Sequence, residues 1–126
     1  MTLYINTVSA DQMTIALSND DGLIVKKIIQ APRQQGEKLV PAIAALLKNK
    51  KLKLSDVKKI IVANRGGSFT SLRIGVITAN ALAYALNIPV EAEESGSHRK
   101  KFASYSLVEP FYDRDPDIGK PKKFKL

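Results

Sequence analysis

Apolar and polar residues alternate along Met13-Thr-Ile-Ala-Leu-Ser18, the period of a strand with one buried face. A shorter β-prone run, Leu3 to Thr7, precedes it across the polar connection Ser9-Ala-Asp-Gln12. Asn19-Asp-Asp-Gly22 marks a turn, because Asp-Gly between two β-like runs supplies the positive φ of a hairpin. Leu23 to Ile29 reads as the return strand, which completes a three-stranded antiparallel meander. The period then lengthens. Within Gly36 to Asn49, Leu39, Ile43, Leu46 and Leu47 share one face of a helix that should begin around Glu37, with Pro41 tolerable only near its first turn. Ser55-Asp-Val57 looks like a cap and short turn, and Lys59-Ile-Ile-Val-Ala63 has the unbroken apolar character of a buried central strand. A Gly-rich loop, Arg65 to Thr70, offers Ser68 and Thr70 as N-caps for an apolar helix from about Ser71 to Leu86. Asn87-Ile-Pro89 ends that helix, and Val90-Glu-Ala92 forms a further short strand. The order β-β-β-α-β-α-β predicts an α/β fold with a mixed five-stranded sheet. A third helix, from Ser97 or Arg99 to about Leu107, would complete a lobe at residues 1–107, followed by an extended basic tail at 108–126.

The second helix carries more apolar surface than a surface helix needs. At 100° per residue, Leu72, Gly75, Val76, Ala79, Leu82, Ala83 and Leu86 fall on one broad face, and Ile74, Ile77, Ala81 and Ala85 on a nearly opposite one. Arg73, Asn80 and Tyr84 form a narrow polar strip between them. One face can meet the sheet, so the other calls for a second helix or a partner chain. The first helix is short and should lie beside the second rather than over it. The expected partner contact is therefore a helical bundle built from Leu39 and Ile43 of the first helix and Leu72, Val76, Ala79, Ala83 and Leu86 of the second. Glutamate at Ala79 or Ala83 should then block association without unfolding the lobe.

Composition narrows the class. The 126 residues, 44% hydrophobic and 25% charged, suffice for one core, and the chain has no Cys, which excludes disulfide scaffolds, thiolate zinc sites and Cys nucleophiles. No apolar run approaches a membrane span, and the start Met-Thr-Leu-Tyr-Ile-Asn lacks the basic and apolar regions of a secretory signal, so a cytoplasmic protein is expected. The net charge of +8 is concentrated in two places. Lys48 to Lys59 holds six lysines against Asp56, and Ser97 to Leu126 holds eight basic residues against four acids. Both clusters read first as solubilising surface. The tail lysines Lys120, Lys122, Lys123 and Lys125 are alternatively a contact with nucleic-acid phosphates or, mixed as they are with Phe111, Tyr112, Phe124 and Asp113, Asp115 and Asp117, with a protein partner, which the aromatics and acids favour.

A Gly-rich turn between a strand and a helix N-terminus can hold a phosphate, although this one lacks the Lys of a P-loop and reads first as a tight turn. Its residues carry a further signal. Ala63-Asn-Arg-Gly-Gly-Ser-Phe-Thr-Ser-Leu-Arg-Ile-Gly75, followed by Thr78-Ala-Asn-Ala-Leu-Ala-Tyr-Ala-Leu-Asn-Ile-Pro-Val90, closely resembles the signature of the TsaB/YeaZ family, which reads G-P-G-S-F-T-G-L-R-I-G and then a helix ending A-L-G-I-P-V. Leu3 to Ser9 is similar to that family's I-D-T-S strand, and Leu39-Val-Pro-Ala-Ile43 to its L-L-P-x-I helix. Gly66, Gly67, Ser68, Phe69, Thr70 and Arg73 form the signature loop.

The resemblance implies one actin-like, ribonuclease-H-like lobe that serves as the non-catalytic partner of a TsaD/Kae1-type enzyme. That assembly threonylcarbamoylates N6 of tRNA adenosine 37, with a TsaE-type ATPase as a further partner, tRNA bound through the complex and a homodimer when the subunit is alone. Family members carry two such lobes, so the resemblance implies a shortened, single-lobe member, in which Val108 to Arg114 resembles the family's C-terminal P-x-Y-x-R. The family's first-strand Asp is Asn6 here, an amide that cannot supply a metal-binding charge, and Ser71 replaces a Gly. His98 has no second His or Cys to share a metal with, so neither a metal nor a cofactor is expected, and the isolated chain should neither hydrolyse ATP nor modify tRNA. Two rivals remain: a stand-alone nucleotide-binding enzyme, which would need a carboxylate-held metal and a second lobe, and a small basic RNA-binding module, which would need stacking aromatics that form only 6% of the chain.

Overall fold

The computed structural model describes residues 1–67 and 69–93. Ser68, the side chain of Phe69, the third helix expected near Ser97 to Leu107, His98 and the basic tail with Lys120, Lys122, Lys123 and Lys125 lie outside the described residues. The N-terminal alternation forms β1 (Thr2–Asn6), β2 (Gln12–Asn19) and β3 (Gly22–Gln30). These pair antiparallel with Ile5 opposite Ile15 and Met13 opposite Ile29, which puts Leu3, Ile5, Met13, Ile15 and Leu17 on one buried face. In the hairpin the positive φ falls on Gly22, at +124°, rather than on Asp21. The Asp21 amide instead donates to Asn19 Oδ1 at 2.8 Å, and the register slips between Leu17 and Ser18 to absorb the turn.

Helix α1 (Gln35–Asn49) starts ahead of the expected Glu37 because Gln35 is buried and its amide donates to the carbonyls of Ser9 (2.9 Å) and Ala10 (2.8 Å). Pro41 lies inside this helix, past its first turn. Pro41 and Glu37 are both exposed, so water can replace the missing amide at the Glu37 carbonyl. After a 3-10 turn at Leu54–Asp56 come β4 (Lys59–Val62), α2 (Phe69–Leu86) and β5 (Val90–Ala92). Thr70 is within α2, so it is not the N-cap expected from the sequence.

The sheet order is β3-β2-β1-β4-β5, with β1, β4 and β5 parallel. Each parallel step is made by a helix, and both helices pack on the same face of the sheet, as the expected actin-like α/β lobe requires. They lie side by side, with Gly36 of α1 close to Ile74 of α2. Each ends in the same double hydrogen bond. Leu52 N–H donates to Leu47 O and Lys51 N–H to Lys48 O after α1; Ile88 N–H donates to Ala83 O and Asn87 N–H to Tyr84 O after α2. Lys51 (φ +59°) and Asn87 (φ +58°) take the left-handed position in each. Among the described residues, no helix is long and apolar enough to cross a membrane.

Candidate functional site

Parallel pairing of β1 with β4 brings the segment after Asn6 against the segment after Val62, and the Ala63 amide donates to the Ile5 carbonyl at 2.9 Å. The signature loop therefore sits on the β1–β2 connection. Gly66 (φ +89°) and Gly67 (φ +64°) both need a conformation that side chains disfavour, and a Cβ on Gly67 would run into the Val8 carbonyl. Thr7 is buried, and its hydroxyl bridges two backbone groups of α2: it donates to the Ser71 carbonyl and accepts from the Gly75 amide at 3.0 Å. A Cβ on Gly75 would lie 2.5 Å from Thr7 Oγ1, so Gly75 lets the helix touch the strand. Gly67 and Gly75 are thus set by close packing against Val8 and against Thr7 and Ile5.

A polar chain runs along the half-buried sheet face at the same end. Val8 N–H donates to Asn6 Oδ1 (2.9 Å), Asn6 Nδ2 donates to the Tyr4 hydroxyl (2.9 Å), and that hydroxyl donates to Glu93 Oε1 (2.7 Å). Burial, then the hydrogen bond to Glu93 and its charge, push the Tyr4 phenol up to about 12, against a smaller opposing effect of Asn6. Both ends of the Asn6 amide thus hold protein groups where the family's strand carries Asp. Among the described residues no cluster of three His, Asp or Glu side chains could hold a metal ion.

The partner face needs correction. Leu39, Ile43, Leu72, Val76, Ala79 and Ala83 are buried in the core beneath the two helices, and Leu86 is partly buried against it. They face the sheet and cannot form an outward bundle. Period alone could not choose between two apolar faces of α2. Gly75 decides it by its close approach to Ile5 and Thr7, with Ala79 and Ala83 buried. Of the opposite stripe, Ile74 packs against α1 beside Gly36, whereas Ile77 (56% exposed), Ala81 and Ala85 lie in solvent with Tyr84 (73% exposed) beside them. Tyr84 therefore belongs to this apolar stripe more than to a polar strip, and Arg73, partly buried, stands four residues before Ile77.

Comparison with known proteins agrees with this architecture. The family described as "TsaD: tRNA N6-adenosine threonylcarbamoyltransferase" matches residues 27–95, more than half of the chain. The chain is 35% identical over 117 residues, 90% of its length and 50% of the relative's, to the tRNA threonylcarbamoyladenosine biosynthesis protein TsaB of Bacillus subtilis (strain 168). It is 28% identical over 88 residues, 70% of its length and 37% of the relative's, to the TsaB of Escherichia coli (strain K12). The crystal structure of YeaZ from Pseudomonas aeruginosa superposes with a TM-score of 0.67 at 28% identity, over 72% of this chain and 42% of that one. The chain spans about half or less of the length of the relatives it matches. With the signature loop in place, the strand order of an actin-like lobe and these matches together, the chain belongs to the TsaB/YeaZ family of tRNA threonylcarbamoyladenosine proteins.

Proposed function

We propose that the chain acts as a non-catalytic partner subunit of a TsaD-type enzyme in threonylcarbamoylation of tRNA adenosine. The names of its TsaB relatives place them in this biosynthesis. The observation that carries the partner role is the solvent-facing stripe Ile77, Ala81, Tyr84 and Ala85 on α2. Its spacing of four, three and one residues makes one continuous apolar strip, and such a strip on an exposed helix is ordinarily covered by a second protein. Asn6 supports the non-catalytic half of the reading, since its amide is committed to Val8 and Tyr4 and carries no charge. The tRNA, a TsaE-type ATPase and a cytoplasmic setting enter through that complex, and a homodimer through the same stripe is the form expected when the chain is alone.

Reconstitution tests this. Purified chain, a TsaD-type protein, a TsaE-type ATPase and unmodified tRNA are incubated with the threonylcarbamoyl donor, leaving out one protein at a time. Modified adenosine is expected when all are present, and none from the chain alone. Modification by the chain without the TsaD-type protein would overturn the non-catalytic role, and full modification without the chain would overturn the partner role.

A further inference from the structure

Between the C-terminal half of α1 and the connection to β4 runs an open groove of about 410 Å³, whose lining includes none of Ile77, Ala81, Tyr84 and Ala85. Its floor is aliphatic, built from Val40, Ala44 and Leu47 of α1, Leu82 of α2, and Leu52 and Leu54 of the connection. Part of that floor is open to water, since Val40 is 53% and Leu54 38% exposed. Lys48, Lys51 and Lys53 also line it, and among the described residues no acidic one does. The neighbouring Asp56 carboxylate is turned back onto the Lys53 backbone amide at 2.8 Å.

A second observation concerns the backbone. Lys51 holds φ +59° at the position after α1 that Gly or Asn fills most readily, and α2 has Asn87 at the equivalent place. A lysine in this conformation is strained, and strain retained in a fold points toward a use for the side chain. Here the residue that carries it, Lys51, lines the apolar groove.

We propose that this groove binds an acidic amphipathic segment of a partner protein, its apolar side chains seated on the aliphatic floor and its carboxylates facing Lys48, Lys51 and Lys53. Charge complementarity selects the acidic partner, and the floor selects protein over RNA. Among the described residues no aromatic or arginine side chain lines the groove, so a base would find there neither a stacking surface nor a bidentate donor. An amphipathic helix in an apolar groove uses the lining that is present.

The test uses the full chain and a labelled synthetic peptide of roughly 18 residues, five helical turns, with Leu on one face and Glu on the other. A second peptide carries Lys in place of every Glu, and oligo-uridine serves as the RNA competitor. Fluorescence anisotropy should show saturable binding of the acidic peptide and none of the basic one. Ala44→Glu, an exposed change in the floor, should weaken binding about tenfold or more. Lys51→Gly should raise the unfolding midpoint yet weaken binding, while Lys26→Gln, the same charge loss on β3, should leave it intact. If Ala44→Glu does not fold, Lys53→Glu on the exposed connection replaces it. Equal affinity of the folded groove variant and wild type would overturn the proposal. So would equal weakening by Lys26→Gln, which marks general charge attraction, or oligo-uridine binding that depends on the lysines and outcompetes the peptide. A groove variant that alters only self-association would assign the groove to a second copy and also overturn it. Because no TsaD-type protein is present, these outcomes are independent of the partner role.

Discussion

Thr7 joins a strand to a helix through one hydroxyl, inserted between the Ser71 carbonyl and the Gly75 amide of α2. Thr7→Val keeps the shape and removes both hydrogen bonds, so it should destabilise by about 1–3 kcal/mol. Gly75→Ala should cost about 1–3 kcal/mol by overpacking, since the new methyl meets Thr7 Oγ1 and Ile5 Cγ2. Urea unfolding with unchanged slope is the check for both, and Thr7→Ser should retain most of the stability. Tyr4 gives a pH signature. Its folded pKa, about 12, lies above the ordinary phenol value of 10.0, so its contribution is fully present below pH 10 and is lost as pH rises through about 12. The difference in stability between wild type and Tyr4→Phe should shrink across that window, and a difference independent of pH would contradict the rise that burial and the hydrogen bond to Glu93 together produce. Neither Thr7 nor Gln35 was legible in the sequence as a contact residue. Buried polar groups follow no apolar period, and their partners lie far away in the chain. Gly66, Gly67 and Gly75 were legible only as members of a motif, and their steric reasons required Val8, Thr7 and Ile5 to be placed beside them.

Among the elements, those with a single apolar face were read from the sequence to within two residues at each end, because burial on one side imposes a strict period. Helix α2 is the exception in orientation. Both of its broad faces are apolar, and a hydrophobic pattern does not say which one the sheet will take. Ala79 is now placed at the core, so Ala79→Glu should unfold the lobe rather than merely block association, at a cost of about 3 kcal/mol or more for an unpaired buried charge. Loss of the cooperative transition in thermal circular dichroism is the readout. The end of α2 gives a gentler test. Asn87→Ala should destabilise by about 1 kcal/mol because Ala resists positive φ, whereas Asn87→Gly should be neutral or stabilising. Lys59 and Glu91, 3.6 Å apart across β4 and β5, add a pairing that the isolated run Val90 to Ala92 did not announce.

For the whole molecule, the strand order β3-β2-β1-β4-β5 and both helices on one sheet face leave an apolar strip on the outer surface of α2 exposed among the described residues. The sequence motif identifies the family, and burial identifies which residues of that family's helix are available. The direct test is titration calorimetry of a TsaD-type protein into this chain and into Ile77→Glu and Tyr84→Glu, both at exposed positions and both checked for an unchanged unfolding midpoint. The account predicts a saturable complex with the wild type and at least a tenfold loss of affinity, about 1.4 kcal/mol, for each variant. Unchanged affinity of folded Ile77→Glu would contradict it.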